Sequence, residues 1–461
     1  MATMQQRAAL LSALRAYGRD AVSYQALEPG LRHWATRGGM VSFCDTSGGW
    51  VATGGPLAET SDCADVASRF ARDAASQGRR ASFFACDHPE SFGEGFSRLQ
   101  LGEQPLWRPG EWQDTLRTHR SLREQLRRAR AKGVRVRRVM PDELTEGSAL
   151  RRAVQALADR WLASRPMEPM SFLVTLAPFE EAEIHRYYAA KRDGVVVEFL
   201  SIVPIGAGRG LLVEDLVRDR GAPNGTTELL FDRAMRDAAA DGIDTVTWGL
   251  APLSGDVRWT LRAAGALGRG LYDFRGLRAF KARLHPREWQ PVWLVYPRGQ
   301  PWPLHLLDAL RAFAGGSLLG FGWRTVARRP LVLAWLLTLA LIPWTAVLAI
   351  LLAFHAAVPL FGFPRSELFA WASFDAMFAL LLVRAFRKPR AASYLVLALA
   401  AAGDAALASL HLARVGLGAS TLGAILRVAS MVAPTLAAFG LLRCSAHARE
   451  HHLGGPPSKR A

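Results

Sequence analysis

The stretch RGLLVEDLVRDRGAPNGTTELLFDRAMRDAAADGIDTVTWGLAPLSG (Arg209 to Gly255) decides the fold. It begins as an apolar strand, passes through the loop RGAPNG, continues as the helix TTELLFDRAMRDAAADG and ends in a second strand, DTVTWGL. This order predicts an α/β fold whose helix N-terminus directs its amide groups to the edge of a sheet, where an anion or a carbonyl oxygen could bind. The second strand then breaks at Gly249, Pro252 and Gly255, and such a break is where an α/β protein opens its backbone towards a ligand.

A second α/β block precedes this stretch. The sequence predicts a hairpin around Thr46 to Gly48, a helix over DCADVASRFARDAASQG and a strand over RRASFFAC. Between the two blocks it predicts a long helix from Asp114 to Gly133 that leads into the strand VRVRRV, and two further helices over ALRRAVQALADRWLASRP and FEEAEIHRYYAAKRDG. The last of these helices leads into the strand VVVEFLSIVPI. We therefore expect two α/β domains, at residues 1–145 and 146–300.

The long helix predicted at residues 114–133 is strongly basic. Beyond its first residue, Asp114, its seven basic residues meet a single acid, Glu124, and arginines at positions 135, 137 and 138 extend the block. Such a face attracts the phosphates of RNA or of an anionic lipid surface. Arg127 and Arg128 are the substrate-binding candidates on this helix. The alternative interpretation is a solvated helix face that binds no ligand.

Hydrophobicity is unevenly distributed along the 461 residues. Charged residues recur every few positions up to about Arg329 and are sparse from Pro330 to Leu442. The run from Leu331 to Phe354 is uncharged and has the roughly 20 residues that a bilayer core requires. Three weaker candidate spans follow, at Leu368 to Val383, Ala392 to Leu412 and Ala419 to Leu442. We expect a basic linker at residues 301–330, about four transmembrane helices within residues 331–443 and a tail at residues 444–461; a single span followed by a helical hairpin is the alternative.

The distribution of basic residues, in a chain with a formal net charge of +17, indicates the orientation of these helices. Basic residues cluster before the first span, between the second and third spans and after the fourth, so the positive-inside rule places both termini and the soluble part in the cytoplasm. The N-terminal residues lack the long apolar core of a signal peptide. The four cysteines have neither CxxC nor metal-ligand spacing, so we expect reduced thiols and no metal site.

Three segments of the chain resemble one protein family. EDLVRDRGAPNGTTELLFDRAM, TWGLAPLSG and YDFRGLRAFKARLHPREWQPVWLVYPRG are similar, in order and in spacing, to the carboxy-terminal synthase domain of bacterial phosphatidylglycerol lysyltransferases, the DUF2156-type lysylphosphatidylglycerol synthases. The resemblance covers about Tyr24 to Gly299. It implies tandem GNAT-like acyltransferase folds that share one site, followed here by the α-helical transmembrane region. It also implies transfer of an aminoacyl group, lysyl or similar, from a charged tRNA to phosphatidylglycerol, without a metal or an organic cofactor.

The resemblance also points to individual site residues. Asp215 matches a family Asp and would bind the substrate ammonium or orient the acceptor hydroxyl. Arg218 and Lys281 match a family Arg and Lys and would bind phosphate groups of the lipid or of the tRNA terminus. The other candidates are Asn224 and Gly225, which would cap the following helix, the first-turn acid Glu228, and Gly249, Pro252 and Ser254 in the turn that lines the family's site. Ion pairing, capping or a favourable helix-dipole position without a function is the alternative for these residues.

Two other functions stay open. The first is a GNAT-like N-acyltransferase that uses an acyl thioester; against it, Pro223 removes one of the amide donors that a pyrophosphate loop needs. The second is an inactive module that binds tRNA or anionic lipid. The sequence identifies neither the transferred amino acid nor the acceptor lipid.

Overall fold

The computed structural model describes residues 4–165, 168–206, 209–267, 273–328, 365–387, 390–415, 432 and 434–445. The chain divides into two compact units. The larger unit comprises Met1–Arg165 and Pro169–Phe321, and it holds all the strands that the structure describes. The second unit comprises Pro166–Glu168 and Gly322–Ala461.

The elements are numbered in chain order. The strands are β1 Arg32–Thr36, β2 Gly39–Asp45, β3 Gly49–Thr53, β4 Leu57–Ala58, β5 Arg80–Cys86, β6 Phe96–Trp107, β7 Arg135–Val139, β8 Arg186–Arg192, β9 Val195–Ile205, β10 Gly210–Arg218, β11 Thr245–Thr247, β12 Ala251–Pro252 and β13 Glu288–Pro297. The helices are α1 Met4–Tyr17, α2 Cys63–Ser76, α3 Trp112–Thr118, α4 Arg120–Ala131, α5 Ala149–Ala163, α6 Thr226–Ala240, α7 Trp259–Leu267, α8 Phe274–Ala282, α9 Trp302–Phe313, α10 Leu318–Arg328, α11 Arg365–Arg387 and α12 Ala391–Val415.

One mixed sheet contains the same α/β motif twice. Its strand order is β1-β2-β3-β5-β13-β6-β11-β10-β9-β8-β7, with β4 beside β2 and β12 beside β6. In the first repeat, residues 32–86, the antiparallel strands β1 to β3 are followed by α2 and by β5, which is parallel to β3. In the second repeat, residues 186–247, the antiparallel strands β8 to β10 are followed by α6 and by β11, which is parallel to β10. The mixed α/β sheet predicted from the sequence is therefore confirmed.

The strand that follows each repeat pairs with the other repeat. β6 follows β5 in the chain but lies beside β11, and β13 follows β11 but lies beside β5. β6 and β13 also pair with each other, from Phe96 opposite Pro297 to Leu106 opposite Glu288. This exchange joins the two repeats into one continuous sheet, which crosses the boundary predicted between residues 145 and 146.

Helices cover both faces of the second repeat. Alternation along the strands directs Leu211 and Val213 to a core against α6 that includes Phe231. It directs Phe199 and Val217 to a core against α5 on the other face. Towards α1, that second face is covered by another cluster, to which Val203 and Leu212 belong. Nearly every residue of the central strands is thus buried on one side or the other.

Most of the elements predicted in this unit are confirmed, including the hairpin β2–β3 and the helices α2, α5 and α6. The helix predicted over Phe179 to Gly194 is wrong, because Arg186–Arg192 forms the strand β8. Tyr187, Tyr188 and the two alanines after them are all fully buried, since this strand lies inside the sheet between β7 and β9. Tertiary burial on both faces decides the structure here, and a helical periodicity does not reveal it.

The long basic helix predicted over Asp114 to Gly133 is interrupted. α3 ends at Thr118, His119 has an extended backbone, and α4 begins at Arg120. The guanidinium of Arg123 donates hydrogen bonds to the carbonyl oxygens of Leu116 and Arg117, two groups that lose their helical partners at the break. The predicted single helix is therefore two helices, and Arg117 is the basic residue on the first of them.

The second unit is described mainly through α11 and α12. Their apolar side chains form a core with residues 437–444, which includes Leu382, Tyr394 and Leu441. Among the described residues, the segment Ala391–Leu410 of α12 is long and apolar enough to cross a membrane. The predicted span from Leu331 to Phe354 lies outside the described residues, as does most of the one from Ala419 to Leu442. The four-span topology stays a prediction.

Candidate active site

The two parallel strands of the second repeat separate at their carboxyl ends. β10 pairs with β11 from Gly210 to Leu212 only and then continues to Arg218. Its pairing with β9 shifts register between Val213 and Asp215, which leaves Glu214 as an extra residue in the strand. Such an opening between parallel strands is where α/β proteins place ligands. The bulge turns two adjacent carboxylates towards it.

An acidic cleft lies at this bulge, on the face of the sheet that carries α1 and α5. The side chain of Ser201 on β9 donates a hydrogen bond of 3.1 Å to Asp215, and the Asp215 amide donates to the same hydroxyl over 3.2 Å. His185 Nδ1 donates to the carbonyl oxygen of Glu181, which places Nε2 2.8 Å from Glu214 Oε2. The cleft is lined by Tyr24, Gln25, Leu27, Glu28, Pro29, Thr175, Ala177, Glu180, Glu181, Ile184, His185, Val203, Glu214 and Asp215.

Burial and repulsion between carboxylates shift two acids of this cleft, Asp215 and Glu28, towards their protonated forms. Burial, followed by the charge of Glu214, raises the pKa of Asp215 to about 7. The same two causes raise the pKa of Glu28 to about 9. At His185, burial opposes the charged ring, but the hydrogen bond to Glu214 and its charge outweigh burial, so the pKa of His185 is raised. A cation placed in this cleft would favour the ionised forms of Asp215 and Glu28 and would then be stabilised by several carboxylates at once.

Arg218 faces away from Asp215. Val217 packs in the α5 core and Leu216 packs against the α6 core, so Asp215 and Arg218 project from opposite faces of β10. The Arg218 guanidinium donates to the carbonyl oxygens of Ala222 at 2.9 Å and Pro223 at 3.2 Å. The two residues that the sequence groups into one motif thus serve two sides of the sheet.

A buried carboxylate accompanies Arg218. Glu198 on β9 is fully buried, lies 3.4 Å from Arg218 Nε and accepts a hydrogen bond from the Thr227 hydroxyl. Burial raises the pKa of Glu198 to about 8. Glu228, half-buried in the first turn of α6, adds its negative charge to this effect. Arg218, Glu198 and Thr227 together fix the loop that leads into α6.

The start of α6 is closed by packing. Gly225 is the N-cap residue, with a φ of +92°, and a Cβ atom there would lie 2.2 Å from the carbonyl oxygen of Gln125 on α4. Glycine at this position therefore permits the close approach of two helices. The capping role predicted for the Asn224 side chain is wrong, because the N-cap has no side chain and Asn224 is exposed.

Lys281 lies buried in α8 and holds the turn after β11. Its ammonium donates to the carbonyl oxygens of Trp248 at 2.6 Å, Gly249 at 2.9 Å and Leu250 at 2.9 Å. These three acceptors use all three of its N–H groups. Burial lowers the pKa of Lys281 to about 7. The structure thus gives this cation protein partners at the position where the sequence predicts a phosphate contact.

The rest of the turn is also occupied by internal contacts. Gly249 has a φ of +61°, and its amide donates to the Thr247 hydroxyl at 3.0 Å. Ser254 donates to the Ala251 carbonyl at 2.7 Å and accepts a hydrogen bond from the amide of Glu103. Pro252 belongs to β12, which pairs with β6. The polar groups of Gly249 and Ser254 in this turn therefore have partners within the protein.

Arg127 and Arg128 both bind Glu124 in their own helix, at 2.8 Å and 3.0 Å. Other arginines of the basic block also have acidic partners, as in the pairs Arg117–Asp114, Arg130–Asp232 and Arg137–Glu143. Among the described residues of this block, exposed Arg120, Lys132 and Arg135 form no ion pair. These three side chains are the freest to meet a phosphate.

Comparison with known proteins identifies the family. Residues 11–296 match the family model described as phosphatidylglycerol lysyltransferase, C-terminal, and the chain belongs to this family. It is 30% identical over 159 residues, 32% of this chain, to a phosphatidylglycerol lysyltransferase of Bacillus subtilis (strain 168). The match spans 18% of that relative's length. The family resemblance predicted from the three motifs is therefore confirmed.

Two solved structures share the fold. The C-terminal DUF2156 domain from Agrobacterium fabrum superposes with a TM-score of 0.57 at 21% identity, over 67% of this chain and 97% of that domain. L-PGS from Bacillus licheniformis superposes with a TM-score of 0.57 at 20% identity, over 66% of this chain and 95% of that one. The larger unit therefore has the mixed α/β architecture of this domain.

Sequence reasoning missed three residues of the cleft. Glu214 stands next to Asp215 in an otherwise apolar strand, and this pair of adjacent acids was the available signal. Glu28 lies far away in the chain, and His185 lies in the segment mistaken for a helix, so neither had a local pattern that tied it to β10.

Proposed function

We propose that this chain is a membrane-anchored aminoacyltransferase that moves an aminoacyl group, lysyl or similar, from a charged tRNA to phosphatidylglycerol. Membership of the family supports the reaction class. The acidic cleft around Asp215 supports a cationic aminoacyl group, and it is the observation that carries the proposal. The apolar segment Ala391–Leu410 of α12 and the uncharged run from Leu331 to Phe354 support an anchor in the bacterial inner membrane, with the larger unit in the cytoplasm.

The reaction is an exchange of one ester for another. A glycerol hydroxyl of the lipid attacks the aminoacyl carbonyl carbon, a new ester bond forms, and the bond to the terminal ribose oxygen of the tRNA breaks. The proton lost by the attacking hydroxyl ends on the ribose oxygen. Asp215 is suited to accept and return this proton, because a base with a pKa near the working pH is the most effective proton carrier. In this scheme Glu28 and Glu214 bind the ammonium groups of the aminoacyl donor.

The other candidate residues act around this centre. Lys281 positions the turn at residues 248–250, and Arg218 positions the loop before α6, with an exposed edge that can reach a phosphate. Arg120, Lys132 and Arg135 offer charge to the tRNA backbone. An acyl-thioester donor is the weaker alternative, because α4 packs against the N-cap residue of α6 where a pyrophosphate would bind.

Expression in a bacterium that lacks aminoacylated lipids tests the proposal. We expect a new cationic, ninhydrin-positive phospholipid, and we expect ribonuclease to abolish its formation in extracts. Asp215→Asn is the test variant. Asp65→Asn, which changes an exposed acid paired with Arg69 on α2, is the matched control. A new lipid that forms in the presence of ribonuclease would favour the thioester donor. If the folded wild-type chain produces no new lipid, the remaining interpretation is an inactive module that binds tRNA or anionic lipid.

A further inference from the structure

Helix α9 lies beyond the part of the chain that the family model matches. The match ends at residue 296 and α9 begins at Trp302. The inner face of α9 packs on the first repeat, where Val51 and Phe84 share a core with Ala309 and Ala312. Polar contacts fix it further: Asp308 binds Arg80 at 2.8 Å, and His305 Nδ1 lies 2.9 Å from the Ser82 hydroxyl. α9 is thus a firmly seated element of the larger unit.

The outer face of α9 differs from that of α2, which covers the opposite side of the same strands. α2 packs on Trp50 and Phe83 and exposes charged side chains, among them the ion pair Asp65–Arg69 at 2.8 Å. α9 instead exposes Leu304 and Leu310, whose exposed fractions are 40% and 48%. Because α2 and α9 cover the same strands, their outer faces would have a similar composition if both faced water. The apolar outer face of α9 is therefore a candidate docking surface.

Aromatic and basic groups continue this surface at the start of α9. The Arg258 guanidinium lies 5.6 Å from the ring centroid of Trp302, which brings the beginnings of α7 and α9 together. The next residue, Trp259, is 77% exposed, and Leu319 after α9 is 88% exposed. Tryptophan and arginine beside exposed leucines is the composition of a helix that lies in a membrane interface.

We infer that the outer face of α9, together with Trp259, docks the larger unit onto the surface of an anionic bilayer. Two observations select lipid over another occupant. The Arg258 guanidinium lies over the Trp302 ring, and Arg80 and Arg311 share the single carboxylate of Asp308, which leaves net positive charge on this side that complements anionic headgroups. The uncharged run that begins at Leu331 follows closely in the chain and keeps α9 near the bilayer if it inserts. The inference thus rests on the membrane attachment proposed above, and it assigns the surface that faces the lipid.

This docking also has a consequence for the candidate site. Trp259 begins α7 only a few residues after Gly255, the last residue of the turn that Lys281 anchors. A surface that places Trp259 in the headgroup region therefore holds this turn close to the acceptor lipid.

Site-specific fluorescence on the full-length chain in lipid nanodiscs tests the inference. Leu310→Cys on α9 is labelled with an NBD fluorophore, and Ala75→Cys, exposed on α2, is the matched control. Wild-type chain treated with the same reagent measures the background from the native cysteines, of which Cys63, Cys86 and Cys444 are buried. Discs contain phosphatidylglycerol and phosphatidylcholine with or without nitroxide-labelled lipid, and iodide is the aqueous quencher.

We expect nitroxide lipid to remove most of the fluorescence at position 310 and little at position 75, with the opposite order for iodide. Iodide quenching at both positions would overturn the inference, because α9 would then face water. Protection at position 310 from both quenchers would also overturn it, because a second copy or another segment of the chain would then cover the helix. Co-elution of the chain with the discs is scored separately, so a failure of membrane attachment is distinguished from a failure of docking.

Discussion

The two repeats have the same order of strands and helices but treat the ends of their parallel strands differently. In the first repeat, Asp20 from the N-terminal segment fills this place: its carboxylate accepts hydrogen bonds of 2.6 Å from the amides of Gly55 and Asp87. Asp87 in turn accepts one from the amide of Ala21. A Cβ atom at Gly54 would lie 2.7 Å from the Asp20 carboxylate, so this acid packs directly against the end of β3.

In the second repeat the corresponding carboxylate, Asp215, faces a cleft. Its side-chain partner is the hydroxyl of Ser201, and Glu214 and Glu28 lie around it. The comparison teaches that a buried acid at this position indicates function only when backbone amides do not already satisfy it. The Asp20 carboxylate is satisfied by backbone amides, whereas the Asp215 carboxylate can accept further hydrogen bonds from a substrate.

The largest expected effect comes from the second repeat. Asp215→Asn keeps the shape of the side chain but removes its charge and its basicity, so transfer should fall by about 100-fold or more. The thermal midpoint should change little. A transfer assay on the purified chain, normalised to folded protein, measures this. An Asp215→Asn variant that keeps most of its transfer would remove the distinction between the two repeats.

The first repeat should respond in the opposite way. Asp20→Ala removes two hydrogen bonds from a buried carboxylate to backbone amides and should lower the free energy of unfolding of the larger unit by about 3 kcal/mol. Transfer per folded molecule should be unchanged at a temperature where the variant is folded. Thermal and urea denaturation measure the loss of stability, and the transfer assay checks that activity per folded molecule is unchanged. A specific loss of transfer would mean that the first repeat also contributes to catalysis.

The pH dependence sharpens the same contrast. The pKa of Asp215 is raised to about 7 in the folded chain, so its proton-accepting form accumulates as pH rises, and transfer should rise with a midpoint near pH 7 and level off about one pH unit higher. The free energy of unfolding should change in the opposite direction with pH. The folded chain holds protons on Asp215 and Glu28 that the unfolded chain releases at lower pH, so the free energy of unfolding falls as pH rises from about 4 to about 9.

Glu28→Gln separates these two effects. It should flatten the decline of stability with pH, because the glutamine carries no proton to lose. The transfer profile should keep its rise near pH 7, since Asp215 is still present. A transfer profile that loses this rise in Glu28→Gln would assign the titration to Glu28 instead.

The smallest effect is expected between the repeats, on α4. Arg127 and Arg128 form exposed ion pairs with Glu124, so alanine at either position should leave the free energy of unfolding nearly unchanged. Alanine at Lys132 or Arg135, which have no ion-pair partner among the described residues, should weaken binding of tRNA more. Titration of tRNA at two salt concentrations compares the variants, and a larger loss in Arg127→Ala would restore the original interpretation of this helix.

The sequence predicted the local pieces of this molecule better than their combination. Hairpins, helices and the family motifs follow from neighbouring residues, and so does the choice of Asp215. The separation of Asp215 from Arg218 depends on which face of β10 each residue occupies, and the bulge at Glu214 is set by pairing with β9. The ammonium of Lys281 finds its three acceptors 31 to 33 residues earlier in the chain. Only the folded sheet brings these partners together.

The exchange of β6 and β13 has a consequence for biosynthesis. While the ribosome is still making the middle of the chain, β5 has an open edge and β6 lacks both of its neighbours, because β11 and β13 have not yet emerged. Open strand edges invite pairing with other chains, so the nascent protein is exposed to aggregation until residue 297 has been translated. The apolar run at Leu331 follows soon afterwards. In the membrane-anchored enzyme proposed above, completion of the sheet and insertion of this run would fall within the same short interval of synthesis, and a chaperone that holds the nascent chain during that interval would protect both.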